Sequence, residues 1–160
     1  MRNVSQENQG QTHFEGRRYF PISQYLRHRF GERVAKISVS VAETCPNRSP
    51  NSAMEACIFC DDWGSAAYHH EKDRELLDQI RHNKKLVSRR LKSELFLVYF
   101  QSYTNTLDKV NILQQRFETA LSEEYVRGLV VGTRPDCLPD RIFPLLNKVC
   151  ETNYVLVEIG

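Results

Sequence analysis

The order of apolar segments along this chain predicts an α/β protein in which parallel strands alternate with helices. Four short apolar segments have the length and composition of strands, and the segments between them place apolar residues at helical spacing. Apolar residues make up 41% of the 160 residues and charged residues 26%, which is typical of a globular domain. Strands that alternate with helices in this way form a parallel sheet or part of a barrel.

The first part of the chain begins with a polar stretch and continues with one helix and one strand. Residues 1–17 are rich in Gln, Asn and Gly and predict a flexible leader. Residues 22–30 predict a short helix, with Ser23 as its N-cap and Gly31 at its end. Residues 33–42 alternate β-branched residues with smaller or polar ones, which predicts a strand.

The rest of the chain alternates regularly after one long loop. The loop, residues 44–66, contains three cysteines and two prolines and has no periodicity, and long ordered loops in compact domains usually carry function. The apolar run LFLVYF is typical of a strand that is buried on both faces. The predicted helices span 71–92, 107–122 and 139–151, and the predicted strands span 95–100, 128–133 and 153–159.

The last predicted strand lies at the end of the chain, with no helix after it. Four parallel strands cannot close a barrel, and an uncovered apolar strand is prone to pair with other chains. Two interpretations stay open: an open four-stranded sheet, or a partial βα barrel truncated after about four strands. We expect the second, with residues 18–160 as an incomplete core domain.

Composition and charge exclude several classes of protein. The net charge of +2 is too small to indicate nucleic-acid binding by bulk electrostatics. No apolar run has the length of a membrane span, and the polar start lacks the apolar stretch of a signal peptide, so we expect a cytoplasmic protein without a membrane partner. In that reducing compartment the five cysteines are expected to be thiols or metal ligands rather than disulfides.

Three of the cysteines form a candidate metal site in the long loop. Cys45, Cys57 and Cys60 have the spacing C-x11-C-x2-C, and a C-x2-C turn places two sulfurs on one side. An iron–sulfur cubane held by three cysteines leaves one iron free to bind a cofactor or substrate. The same spacing is compatible with a structural zinc site in which His69 or His70 is the fourth ligand.

Further motifs surround the cysteines. The loop contains TCPNR and CIFC, RYFPISQYLRHRFGERVAKIS precedes it, and YFQSYTNT and GTRPDCLPD follow the second and third predicted strands. Together these motifs resemble the radical S-adenosylmethionine enzymes, in particular an uncharacterised branch related to the catalytic subunit of elongator. The resemblance covers residues 18–160 and implies the first four strands of a partial six-stranded βα barrel. In that branch the gap between the first two cysteines is rich in glycine, whereas here it contains SPNSAMEA.

By this resemblance, Cys45, Cys57 and Cys60 hold a 4Fe–4S cluster, and S-adenosylmethionine binds to its fourth iron. One electron from the reduced cluster cleaves the sulfonium of the cofactor, and the resulting 5′-deoxyadenosyl radical takes a hydrogen atom from the substrate. The resemblance implies an electron donor of the flavodoxin or ferredoxin type. It leaves the substrate open, with RNA as one candidate.

The resemblance also implies residues that contact S-adenosylmethionine. Phe59 stands where the family usually has an aromatic residue near the adenine. The other candidates follow the second, third and fourth strands, because βα-barrel enzymes build their sites at the carboxyl ends of strands. They are Gln101, Tyr103, Asn105, Arg134, Asp136 and Glu158.

Simpler structural roles stay open for several of these residues. Arg134 and Asp136 would form a salt bridge that caps the turn after the third strand, with the proline between them stiffening it. Tyr103 and Asn105 would be turn residues that lead into a helix capped by Thr106.

Other conspicuous residues also have structural interpretations. Cys137 and Cys150 are expected to be small buried hydrophobes. A basic run on the second helix is typical of a solvated face and is also compatible with RNA contact. It comprises Arg81, Lys84, Lys85, Arg89, Arg90 and Lys92. For the whole chain, the alternatives to an enzyme are a zinc-binding interaction module and an inactive fragment.

Overall fold

A computed structural model describes residues 18–42, 45–48, 57–58, 60 and 74–160 of the chain. They form a four-stranded parallel sheet in the order β1-β2-β3-β4, with helices between the strands, which confirms the predicted α/β class. The strands are β1 (Val34–Val39), β2 (Leu95–Phe100), β3 (Val126–Thr133) and β4 (Tyr154–Ile159), and the helices are α1 (Ile22–Phe30), α2 (Leu76–Leu91), α3 (Val110–Leu121) and α4 (Phe143–Cys150).

The described residues divide into two compact units between residues 33 and 34, and α1 belongs to the first. The predicted end of α1 is confirmed, because Gly31 has a left-handed φ of 75° that glycine adopts without strain. The predicted N-cap is wrong. Pro21 occupies that position with extended backbone angles, and its carbonyl accepts the first hydrogen bonds of the helix, so Ser23 already lies inside the first turn.

In the second unit, α2, α3 and α4 bury one face of the sheet. Their apolar side chains form a single core with alternate residues of the strands. Phe100 of β2 and Phe117 of α3 illustrate the packing, since both are about 1% exposed and their ring centroids are 5.5 Å apart. Burial of one such side chain contributes about 1.5–3 kcal/mol. The prediction that β2 is buried on both faces is confirmed by Phe96, Leu97 and Val98, which have no exposed surface.

The opposite face of the sheet carries a contact between its two outermost strands. Lys36 of β1 forms an ion pair with Glu158 of β4, and its ammonium group also lies 4.6 Å from the ring centroid of Tyr99 on β2. Through the strand register Lys36 aligns with Tyr154, four residues before Glu158. In a flat sheet the two residues would be about 14 Å apart across the strands and about 13 Å apart along them. The contact therefore requires a sheet that is twisted and concave on this face.

Some predicted element boundaries are wrong. The third helix begins at Val110 rather than at 107, so Thr106 is not its N-cap. Thr106 is instead fully buried, and its hydroxyl bonds to the hydroxyl of Thr133 and to the carbonyl of Cys137. These bonds hold the chain in a turn that local sequence signals do not reveal. None of the helices in the described part of the chain combines the length and the apolar character needed to cross a membrane.

Candidate metal and cofactor site

The carboxyl ends of the strands border a cavity of about 390 Å³. This volume lies in the range of small-molecule sites, and the carboxyl edge of a parallel sheet is where such sites form. The cavity brings together residues from the loop after β1 and from the ends of β2, β3 and β4. The predicted site residues that line it are Cys45, Cys57, Cys60, Gln101, Tyr103, Arg134 and Glu158.

Gln79 of α2 ties together the two ends of the segment that carries the cysteines. Its side chain is 1% exposed, and its Oε1 accepts a hydrogen bond from the backbone N–H of Ser40 at 2.9 Å. Its Nε2 donates to the carbonyl of Ser40 at 3.1 Å and to that of Arg74 at 2.9 Å. Because Ser40 follows β1 and Arg74 precedes α2, one amide fixes where the cysteine segment leaves and rejoins the fold.

The backbone around Cys45 turns sharply. Pro46–Arg48 forms one 3₁₀ turn, in which the N–H of Arg48 donates to the carbonyl of Cys45 at 2.8 Å. A proline at the second position of such a turn already has the required φ. From the end of β2, the hydroxyl of Thr104 donates to the sulfur of Cys45 at 3.4 Å.

Cys57 and Cys60 lie on one turn, as their C-x2-C spacing predicts. The N–H of Cys60 donates to the carbonyl of Cys57 at 3.0 Å. Two side chains of the Pro46–Arg48 turn reach this pair: Asn47 Nδ2 donates to the sulfur of Cys57 at 3.1 Å, and Arg48 Nη2 donates to the carbonyl of Cys60 at 3.2 Å. The two parts of the cysteine segment are therefore joined by side-chain hydrogen bonds.

The chemistry of this donor set fits a thiolate-bound metal group. Cys45, Cys57 and Cys60 are free thiols on one cavity, and hydrogen-bond donors point at the sulfurs of Cys45 and Cys57, where they would stabilise thiolate charge. As they stand, no three Cys, His, Asp or Glu side chains in the described part of the chain are arranged to hold a metal ion. Phe59, His69 and His70 lie outside the described residues.

The two polar residues after β2 have different surroundings. Tyr103 lines the cavity and has a φ of 55°, an unusual conformation for a bulky side chain. Asn105 does not line the cavity, and it is 3% exposed. Its Nδ2 donates to the carbonyls of Phe100 and Ser102 at 3.0 Å and to that of Gly132 at 3.1 Å. Asn105 thus joins the ends of β2 and β3, which is the turn role that the sequence left open.

Arg134 and Asp136, after β3, form the salt bridge that was the alternative to cofactor contact. Arg134 Nε and Nη2 donate to the two carboxylate oxygens of Asp136 at 2.9 and 2.8 Å. The hydrogen bond from Arg134 lowers the pKa of Asp136 below its usual range. Asp136 does not line the cavity, whereas Arg134 does and also donates from Nη1 to Asn47 Oδ1 at 2.7 Å.

Glu158 lines the cavity as part of a charged group on the concave face of the sheet. Burial alone would raise the pKa of Glu158, but hydrogen bonds from Lys36 and Tyr99 and the charge of Lys36 outweigh burial and lower it. Burial, followed by the hydrogen bond and the negative charge of Glu158, raises the pKa of Tyr99 to about 12. Glu158 is thus ionised and Tyr99 protonated at neutral pH.

Sequence reasoning missed Asn47, Arg48 and Tyr99, which also line the cavity. The first two lie in the CPNR stretch directly after the first cysteine, and polar side chains so close to a candidate ligand were a usable signal. Tyr99 lies within an apolar run, so the sequence contained no signal that it would line a cavity. Cys137 is buried as predicted, but the prediction for Cys150 is wrong, because it lies exposed in the last turn of α4.

Comparison with curated proteins finds relatives in bacteria and an archaeon. The chain is 34% identical over 144 residues to "Uncharacterized protein YtqA" of Bacillus subtilis, a match that covers 90% of this chain and 45% of the relative. It is 35% identical over 136 residues to "Protein YhcC" of Escherichia coli, covering 84% and 43%. It is 30% identical over 151 residues to "Uncharacterized protein MJ0486" of Methanocaldococcus jannaschii, covering 91% and 45%.

Two further comparisons find nothing. No family model matches the chain. No solved structure matches it. The curated relatives are thus the proteins to which this chain is similar. The chain spans a little under half of the length of each of them.

Proposed function

We propose that this chain provides the cluster loop and the first four strands of a radical S-adenosylmethionine enzyme. The observation that carries the proposal is the cavity at the carboxyl ends of the parallel strands, which Cys45, Cys57 and Cys60 border together. A cavity of about 390 Å³ beside three thiols offers space for an organic cofactor next to the metal site. A purely structural zinc site would not need that space.

In this proposal Cys45, Cys57 and Cys60 hold a 4Fe–4S cluster, and Gln101, Tyr103 and Glu158 contact S-adenosylmethionine. The cluster and cofactor, when bound, supply a 5′-deoxyadenosyl radical for hydrogen abstraction, with electrons from a donor of the flavodoxin or ferredoxin type. The amide of Gln101 offers a donor and an acceptor to the aminoacyl group. The ionised carboxylate of Glu158 offers acceptors to hydroxyl or ammonium groups. The protein's part is to orient these groups and exclude water.

The curvature of the sheet supports the partial barrel that the proposal requires. A flat open sheet keeps its outermost strands apart, whereas a barrel brings them toward each other around a common interior. The ion pair between Lys36 on β1 and Glu158 on β4 spans the concave face and fits the second arrangement. The polar residues on that face would then point toward the barrel interior.

Anaerobic reconstitution with iron and sulfide tests the proposal. We expect about four irons and four sulfides per chain, and near-complete loss of both in Cys45→Ala, Cys57→Ala and Cys60→Ala. Cys137→Ala and Cys150→Ala are matched controls that should retain the cluster. Addition of S-adenosylmethionine should change the electron paramagnetic resonance spectrum of the reduced cluster.

The metal content of the purified protein can contradict the proposal. If protein purified without oxygen holds stoichiometric zinc and takes up no iron, the chain is a zinc-binding module. For the full-length protein, a reduced cluster that never yields 5′-deoxyadenosine would refute the radical reaction even if iron is bound.

A further inference from the structure

A continuous chain of hydrogen bonds leads from the loop after β3 to the sulfur of Cys57. Asp136 binds two nitrogens of Arg134 in a fork, at 2.9 and 2.8 Å. The third nitrogen, Nη1, donates to Asn47 Oδ1 at 2.7 Å, and Asn47 Nδ2 donates to Cys57 Sγ at 3.1 Å. This series of hydrogen bonds links two segments that are far apart in sequence, and it ends on a residue of the cysteine segment.

The donors and acceptors in this series of hydrogen bonds determine which end of the Asn47 amide faces the sulfur. An asparagine amide has an acceptor end and a donor end, which are otherwise interchangeable in shape. Arg134 has only donors, so the oxygen of Asn47 must face Arg134 and the NH₂ group must face Cys57. Asp136 fixes the guanidinium plane through its fork, and such bidentate pairs are geometrically specific. The carboxylate thus controls, through Arg134, the orientation of the Asn47 donor two groups away.

A donor at a ligand sulfur has a defined effect on a metal site. A hydrogen bond to a coordinating thiolate withdraws negative charge from it, which favours the reduced and more negative state of an iron–sulfur cluster. The reduction potential consequently rises with the number and the alignment of such hydrogen bonds. Radical chemistry requires an electron transfer from the cluster, so this potential is a functional property.

We propose that Asn47 is a positioning residue that tunes the cluster through Cys57, and that Arg134 and Asp136 act by holding Asn47 in orientation. The inference rests on the proposed function, because it presupposes that Cys57 is a cluster ligand. It assigns Arg134 to the sulfur side of the site rather than to the ribose or carboxylate of S-adenosylmethionine.

The test is the midpoint potential of the reconstituted cluster, followed by electron paramagnetic resonance during an anaerobic titration. Asn47→Leu removes the donor and should lower the potential while leaving the iron content unchanged. Arg134→Gln should lower it too, because the amide of Asn47 is then free to turn its oxygen toward the sulfur. The double variant of Asn47→Leu with Arg134→Lys, which keeps the positive charge near Cys45, should have the potential of Asn47→Leu alone, because no donor is then left for residue 134 to orient.

Controls separate this mechanism from a general charge effect. Arg89→Ala removes one positive charge on the exposed face of α2 and should leave the potential unchanged. Arg134→Lys keeps the charge but cannot bind Asp136 in a fork and hold Asn47 at once, so it should resemble Arg134→Gln. If Asn47→Leu fails to load, Arg134→Lys carries the test, because Arg134 forms no hydrogen bond to a cysteine sulfur.

The outcomes distinguish the two proposals. If the parent protein takes up no iron–sulfur cluster, the proposed function is wrong. If the parent loads normally and the potentials of the Asn47 and Arg134 variants equal that of the parent, only the inference is wrong. Additive shifts in the charge-conserving double variant would also overturn it, since the guanidinium of Arg134 would then act independently of Asn47.

Discussion

At the scale of single residues, Tyr103 combines a cavity-lining side chain with a strained backbone. Its φ of 55° lies in the left-handed region, where a Cβ atom is crowded by the following carbonyl group. Glycine relieves that crowding. It costs about 1 kcal/mol or less in stability, because a glycine loses more backbone entropy on folding than other residues do. A tyrosine in such a conformation is expected where the phenol contributes to binding.

We predict that Tyr103→Gly is more stable than Tyr103→Ala by about 1 kcal/mol, because both remove the phenol and only glycine relieves the strain. Urea unfolding of the two variants measures the difference. Both should lose affinity for S-adenosylmethionine equally, in a binding assay on the reconstituted protein. A glycine variant that is less stable than the alanine variant would show that the backbone at this position is not strained, because only the entropy cost of glycine would then remain.

At the scale of elements, the junction of β1 and α2 depends on Gln79 rather than on apolar packing alone. We predict that Gln79→Met, which keeps the length of the side chain, costs about 3 kcal/mol, because the buried N–H and C=O of Ser40 lose their partners. Gln115→Met on the exposed face of α3 is the matched control and should change stability by less than about 0.5 kcal/mol. Urea unfolding measures both.

The same Gln79→Met variant has a second expected effect. The cysteine segment would be held at its ends less firmly, so iron uptake should fall even under conditions where the variant is folded. Full iron retention together with a large loss of stability would show that the hydrogen bonds of Gln79 stabilise the fold but do not affect the site.

The pairing of β3 with β4 depends on a missing side chain at Gly128. A Cβ atom there would lie 2.0 Å from the backbone oxygen of Tyr154, which cannot move without a shift of β4. We predict that Gly128→Ala destabilises the protein by about 3 kcal/mol. Gly132→Ala is the control on the same strand, where the closest atom would be 3.1 Å away, and it should cost clearly less. Thermal unfolding of both variants is the measurement, and equal melting temperatures would contradict the prediction.

At the scale of the whole molecule, the ion pair of Lys36 and Glu158 reports on the curvature of the sheet. We predict a coupling free energy of about 0.5–1 kcal/mol near neutral pH in a double-mutant cycle of Lys36→Met and Glu158→Gln, since both side chains are partly exposed. Lys85→Met, on the exposed face of α2, should show no coupling to Glu158→Gln. Zero coupling between Lys36 and Glu158 would contradict a stabilising ion pair across the concave face.

The pH dependence of this coupling has a definite sign. Because the pKa of Glu158 is lowered in the folded protein, its contribution to stability is fully present above the ordinary pKa of a glutamate carboxyl. It is lost as the pH falls through the lowered value, when the carboxylate becomes protonated. Urea unfolding of the parent and the three variants of this cycle in strongly acidic solution should therefore show no coupling.

Much of the fold could be predicted from the sequence because helices and strands have local periods. The apolar run of β2 and the left-handed Gly31 at the end of α1 are properties of short segments, and both were predicted correctly. The start of α3 was not, because Thr106 is held by hydrogen bonds to Thr133 and Cys137, which are distant in sequence. A local capping signal cannot compete with such partners.

In the candidate site, too, some features could be predicted from the sequence and others depend on contacts between distant segments. The spacing of Cys45, Cys57 and Cys60 and the rule that sites form at the carboxyl ends of parallel strands pointed to the carboxyl edge of the sheet, where the cavity lies. The role of Asn105 as a link between strands and the link from Arg134 to Asn47 appeared only in the folded chain. The spacing of a motif is a property of the chain, whereas a hydrogen-bond partner depends on which segments folding brings within about 3 Å of each other.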